Sequence, residues 1–208
     1  MNSQKTKPAL IGLTGGIASG KSTVIQFLQK EGYSVIDADK LGHKVLEPGN
    51  PGYYKVLEKF GDKILNPDKT VNRLLLGAIV FGNPDKLKQL NGISHPIIAQ
   101  LIHKEFDKLA ADSVNGIVFL EAALLIEASW HKVCQYIWVV MLDPKVAVRR
   151  LQERDSLSEK DSQARLDAQL SPKARLAFAD IVLHNDGLPE ELITQTKQAL
   201  QDLIVSRS

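Results

Sequence analysis

The stretch that most constrains this chain is Gly15-Gly16-Ile17-Ala18-Ser19-Gly20-Lys21-Ser22, which fits the pattern G-x-x-x-x-G-K-[ST]. Its surroundings agree with its letters. Ala9-Leu10-Ile11-Gly12-Leu13-Thr14 is an apolar run of strand length, and Ser22 to Leu28 opens a helix in which Val24, Phe27 and Leu28 share one face. Gly32 supplies that helix with a C-terminus. A strand, a glycine-rich turn and a helix in this order make a cradle for phosphate. Glycines admit positive φ and close approach, so successive N–H groups converge on phosphate oxygens. The helix start adds unsatisfied N–H groups and the positive end of its dipole. Lys21 places a point charge on the β- and γ-phosphates, and the Ser22 hydroxyl is a natural magnesium ligand. The pattern therefore predicts a nucleoside triphosphate with Mg²⁺, held by Gly16, Ile17, Ala18, Ser19, Gly20, Lys21, Ser22 and Thr23.

Further apolar runs of strand length follow at Val35-Ile36, Ile117–Leu120, Ile137–Met141 and Ile181–Leu183, with helical patterns between them. That alternation predicts an α/β fold of the P-loop NTPase type: three layers around a mostly parallel five-stranded sheet with right-handed crossovers. The third run arrives late. Residues 44–112 are helix-rich and broken at Pro48-Gly49, Asn66-Pro67 and Asn83-Pro84, which predicts a helical substrate subdomain inserted into the fold. The remaining core is expected at 1–43, 113–145 and 178–208. From Pro189 onward, Leu192, Thr196, Ala199, Leu200 and Leu203 form the stripe of an amphipathic helix that packs on the sheet.

Composition limits the partners. The 208 residues carry a net charge of only +2, without a basic run, so neither nucleic acid nor a membrane surface is expected as a partner. Cys134 is alone, which removes disulfides and cysteine-based zinc and marks it as a buried small hydrophobe in a reducing compartment. Met1 to Pro8 hold no apolar leader segment, and no apolar stretch is long enough to span a bilayer. The expected location is the cytoplasm.

Two further patterns carry chemistry. After the fourth strand, Asp143-Pro144 reads as a helix start; Arg150 and Arg154 then lie i, i+4 on one face, and Arg165 and Gln169 repeat the spacing. A basic hairpin here, over 146–177, is expected to act as a lid that closes on phosphates. Asp155, Glu159, Asp161 and Asp167 balance much of its charge, as on a solvated surface hairpin. Val35-Ile36-Asp37-Ala38-Asp39 sets two carboxylates at the C-terminal end of the second strand, the edge where open α/β sheets bind ligands. If the extended conformation persists, Asp37 and Asp39 point to the same side. One carboxylate would take a proton from an attacking hydroxyl while the other orients a water on magnesium, with Asp37 also a candidate helix cap.

These features predict a kinase that moves the γ-phosphoryl group of ATP to a hydroxyl, with Asp39, Lys21 and the lid arginines as the active groups. A GTP-driven switch is the competing class. Asp39-Lys40-Leu41-Gly42 has the D-x-x-G spacing, but it lies 18 residues after Lys21 and no N-K-x-D sequence occurs.

From Leu13 to Thr23 and through Val35-Ile36-Asp37-Ala38-Asp39, the sequence closely resembles the dephospho-coenzyme A kinases. The likeness continues at His43, Glu47-Pro48-Gly49, Phe60-Gly61, Arg73, Phe81, Leu90-Asn91 and His95-Pro96. It resumes at Leu124-Leu125-Ile126-Glu127, Arg150–Asp155, Gln169, Ala179-Asp180 and Asn185-Asp186-Gly187. The resemblance implies transfer of phosphate from ATP to the ribose 3′-hydroxyl of dephospho-coenzyme A, the last step of coenzyme A biosynthesis. It implies that Asp39 is the base, that Arg150 contacts the nucleotide phosphates, and that 44–112 binds the acceptor. His43, Arg73 and His95, with Asp37 and Asp39, fall on that acceptor side, and His95 before Pro96 also reads as a helix start. Where the family usually has proline, glycine and Ile-Asp-Asn, this chain has Ala123, Thr70 and Leu183-His184-Asn185. Glu127 is open between facing the cleft and capping a helix, and oligomeric state is open as well. Another small-molecule P-loop kinase, of the shikimate or nucleoside monophosphate type, is the alternative; the Gly-Gly-Gly signature of the former is missing.

Overall fold

The computed structural model describes residues 7–207, so the reading of Met1 to Thr6 lies outside it. The chain divides into two compact units, one of 37–105 and one of the remainder.

In the larger unit, β1 (Ala9–Gly15), β2 (Ser34–Asp37), β3 (Ile117–Glu121), β4 (Tyr136–Met141) and β5 (Ile181–His184) form one five-stranded sheet in the order β2-β3-β1-β4-β5. The β1–β3, β1–β4 and β4–β5 pairings are parallel. Every residue of β1 is buried, which is why its sequence is a continuous apolar run rather than an alternating one. One face of the sheet carries α1 (Lys21–Lys30) and α9 (Pro189–Ser206). Val24, Phe27 and Leu28 of α1 and Leu192, Ala199, Leu200 and Leu203 of α9 join Ile11, Leu13, Phe119 and Trp138 in a single core. Tyr33, Phe119 and Trp138 meet edge to face within it, with ring centroids 5.8 and 5.3 Å apart. Between β4 and β5 lie α6 (Pro144–Asp155), α7 (Glu159–Asp167) and α8 (Pro172–Leu176). The chain leaves β1 toward one edge of the sheet and β4 toward the other. The reversal that opens a ligand crevice in such sheets therefore falls at the C-terminal ends of these two strands.

The smaller unit holds α2 (Ala38–Val45), α3 (Pro51–Phe60), α4 (Arg73–Val80) and most of α5 (Pro84–Ala110). Its own core is built from Tyr53, Val56, Phe60, Ile64, Val71, Leu76 and Val80. The Tyr53 hydroxyl donates to the Lys69 carbonyl at 2.7 Å, which ties the loop between α3 and α4 to that core. The helix start expected at His95-Pro96 is not there: Pro96 lies inside α5. Lacking an N–H, it leaves the carbonyl four residues back without its helical donor. Burial of Ile98 and Ile102 outweighs that loss and carries the helix on.

Candidate nucleotide-binding site

The chain turns out of β1 at Gly15, and the turn is tight. A Cβ there would stand 2.5 Å from the Ser19 Oγ and 2.6 Å from the Val140 carbonyl oxygen, so only glycine fits. Positive φ falls at Ala18 (60°) and Gly20 (97°), not at the two leading glycines. Ala18 holds a left-handed conformation despite its Cβ, a strain of roughly 1–2 kcal/mol characteristic of functional loops. Gly20 has a second constraint, because a Cβ there would overlap the side-chain amide of Asn185. That amide donates to the Ser19 carbonyl at 2.8 Å and is buried. Gly20 then becomes the N-cap of α1, its carbonyl accepting from Thr23 and Val24, and Lys21 and Ser22 begin the helix. The Lys21 Nζ donates back to the Gly15 carbonyl at 3.0 Å, across the mouth of the loop.

One groove of about 630 Å³ is lined by Ile17, Ala18, Ser19, Gly20, Lys21 and Ser22 together with Arg150 and Arg154 of α6. The structure thus gathers most of the nucleotide-side residues on one surface. Of the others, Thr23 lies on the first turn of α1, and Gly16 lines a separate cavity of about 270 Å³ against the α7–α8 segment. The Arg150 Nη2 donates to the Asn185 carbonyl at 3.0 Å. Asn185 therefore holds the phosphate loop with its side chain and the arginine with its backbone.

The basic hairpin is organised differently from its sequence pattern. Helix α7 ends at Asp167, so Gln169 does not continue the face of Arg165. Instead, the Gln169 Oε1 accepts from the Ile17 N–H at 2.8 Å. Arg154 makes a bidentate contact with Asp155 at 2.7 and 3.0 Å, and Arg165 joins the same carboxylate at 3.0 Å. Hydrogen bonds from Arg154 first, then the charges of both arginines, hold Asp155 below the usual carboxylate range.

In the smaller unit the extended backbone does not persist through both carboxylates. Asp37 caps α2: its carboxylate accepts from the Lys40 N–H at 2.9 Å and pairs with the Lys40 ammonium at 3.2 Å. Asp39 consequently sits in the first turn of the helix, exposed, with exposed His43 four residues on and on the same face. Arg73 is exposed at the start of α4. His95 is partly buried in α5, and burial pushes it below the usual histidine range. Cys134 is partly rather than fully buried; burial still pushes its thiol up to about 12, which removes it as a nucleophile.

The sequence profile of the dephospho-CoA kinase family matches residues 9–191. The chain belongs to that family. The dephospho-CoA kinase of Shouchella clausii is 42% identical to it over 190 residues, covering 91% of this chain and 96% of the relative. Among solved structures, TT1252 from Thermus thermophilus superposes with a TM-score of 0.78 at 31% identity, covering 97% of this chain and 99% of that one. The dephospho-CoA kinase from Campylobacter jejuni superposes with a TM-score of 0.73 at 28% identity, covering 96% and 98%. The shikimate-type and nucleoside monophosphate kinase alternatives find no comparable support.

Three residues of this dephospho-CoA kinase family member escaped sequence reasoning as site residues: Gln169, Asn185 and Arg175. Each reaches the phosphate loop from more than 150 positions away, a distance over which no local pattern speaks. Glu127 resolves as a tether, its Oε1 accepting from the Leu170 N–H at 3.4 Å beside Gln169. Gly20→Ala tests the loop's construction. Left-handed strain plus loss of the buried Asn185–Ser19 hydrogen bond is expected to destabilise the fold by about 2–4 kcal/mol in denaturant unfolding. A change within experimental error would show that the loop does not need this close approach.

Proposed function

We propose that the protein transfers the γ-phosphoryl group of ATP to the ribose 3′-hydroxyl of dephospho-coenzyme A, giving coenzyme A and ADP. The observation that carries this is the phosphate loop lined up with Lys21, Arg150 and Arg154 in one groove, in a chain of this family. The hydroxyl oxygen attacks the γ-phosphorus, the bond to the β,γ-bridging oxygen breaks, and ADP leaves with its electron pair. The hydroxyl proton passes to the Asp39 carboxylate and from there to solvent. Lys21 moves from the Gly15 carbonyl onto the phosphate oxygens, and Arg150 offsets charge that builds on them in a loose transition state. Arg154, Gly16 and Thr23 complete the nucleotide-side set.

Among the described residues no cluster of His, Cys, Asp or Glu forms a metal cage. That fits Mg²⁺, which commonly takes one or two protein oxygens and completes its shell with phosphate and water. The exposed Ser22 hydroxyl, at the groove and the helix start, is the protein donor. When bound, the ion neutralises charge on the β- and γ-oxygens.

The helical region 44–112 receives the acceptor through exposed Arg73 and half-buried His95, with exposed His43 just before it and Asp37 holding the helix that carries Asp39. Burial disfavours the His95 cation and pushes it below the usual histidine range, which suits it to serve as a neutral hydrogen-bonding partner. Residues 146–177 act as the lid. Among the described residues no helix is long and apolar enough to cross a membrane. An ATP-consuming step of this kind belongs in the cytoplasm.

A coupled ADP-release assay with ATP, magnesium and a panel of dephospho-coenzyme A, shikimate, AMP and CMP tests the reading. Turnover is expected with dephospho-coenzyme A alone. A response only to shikimate or a monophosphate would overturn the acceptor and leave the phosphoryl transfer in place.

A further inference from the structure

Arg175 is a buried cation that the reaction above does not use. It lies in α8 and is 3% exposed, whereas Lys173 on the same short helix faces solvent. Its guanidinium packs against the phosphate loop: a Cβ on Gly16 would come within 3.4 Å of the Arg175 Nη1. The Arg175 Nε and Nη2 are buried and reach no acceptor. Glu127 exerts an opposing attraction, yet burial is the larger influence and pulls the guanidinium below its ordinary range. An arginine keeps its charge even so. A buried cation with two unanswered N–H groups opposes folding, and proteins tolerate such groups chiefly where a site needs the charge. Before that helix, Gln169 holds the next loop residue by accepting from the Ile17 N–H. Two side chains of one segment thus bear on Gly16 and Ile17, the half of the loop that precedes Lys21.

We propose that Arg175 is a positioning residue for phosphoryl transfer, acting through Gly16 and Ile17. It sets the leading half of the phosphate loop and adds positive potential to it, so that an arriving polyphosphate meets a loop already in place. The proposal rests on the loop's reading as a nucleotide site, and not on which acceptor is used.

Arg175→Met removes the charge at similar length, and Arg175→Lys keeps it. In nucleotide-free protein, Arg175→Met is expected to raise the melting midpoint by about 2 °C or more, because a buried cation with two unanswered N–H groups is gone. The same variant is expected to show less than half the wild-type rise in midpoint on adding ATP and magnesium. Its kcat should fall about tenfold or more, the change in kcat exceeding that in KM for the acceptor. Arg175→Lys is expected to keep at least half of the ATP-induced rise. A lower midpoint in Arg175→Met with the ATP-induced rise intact would make Arg175 a packing residue and overturn the proposal. A lysine variant no better than methionine would do the same, since the charge would then not be the agent. Wild-type protein stabilised by ATP but inactive on dephospho-coenzyme A would sink the acceptor assignment alone.

Discussion

Asp39→Asn is expected to lower kcat by about 10²–10⁴-fold while ATP affinity stays within a few-fold. Asparagine matches aspartate in size and can still align a hydroxyl, but it cannot take up the proton that must leave as the oxygen–phosphorus bond forms. The place of Asp39 in the structure isolates that effect. It lies in the first turn of α2, and the capping of that helix falls to Asp37, whose carboxylate holds the Lys40 N–H and ammonium. Exchanging Asp39 therefore leaves the Asp37 cap in place, and a melting midpoint measured beside kcat separates lost chemistry from lost fold. Asp37→Ala is the contrasting control: it removes the cap that accepts from the Lys40 N–H, typically a loss of about 1 kcal/mol, and should lower stability more visibly than kcat. Single-turnover transfer from ATP, read beside nucleotide affinity, checks both. An Asp39→Asn enzyme that transfers phosphate near the wild-type rate would remove Asp39 from the chemistry.

The two aspartates also show where sequence reasoning stops. Both stood out because carboxylates at a strand end are chemically loud, but the period-2 rule that aimed them together holds only while the backbone stays extended. Asp37 itself ends the strand, because its side chain satisfies an amide of the next turn. The strands were legible for the opposite reason. β1, β3 and β4 are buried so fully that their apolar runs need no context. Their order was not legible, since placing β3 between β2 and β1 is decided by long-range packing. The same holds for the site. The phosphate loop, Arg150 and Arg154 announce themselves by spacing. Arg175 sits in Ser171-Pro172-Lys173-Ala174-Arg175, which reads as solvated surface, and only the fold reveals that one of its two cations is buried. Pro96 was misread because the rule against helix before proline is local, whereas α5 is held by what it packs against.

Lys21→Ala is expected to reduce kcat/KM for ATP by about 10²–10³-fold or more, with little change in stability. The lysine's described hydrogen bond, Nζ to the Gly15 carbonyl at 3.0 Å, is only partly buried. Its loss is worth about 0.5–1.5 kcal/mol, or a few degrees in melting midpoint for a chain of this length. The Gly15 carbonyl keeps access to water once the ammonium is gone. Catalysis depends on the same ammonium far more heavily. Lys21 begins α1, so it stands where the helix dipole and first-turn amides already favour anions, and its charge is the mobile part of that arrangement. An interaction that strengthens as the γ-phosphoryl group loosens lowers the barrier, whereas one equal in ground and transition states does not. The loss should accordingly appear in kcat as well as in KM, and Lys21→Arg should not restore it, because a planar fork cannot replace a compact ammonium inside so tight a loop. Retained turnover in Lys21→Ala, with an unchanged melting midpoint, would mean that the cradle is not where the phosphoryl group is transferred.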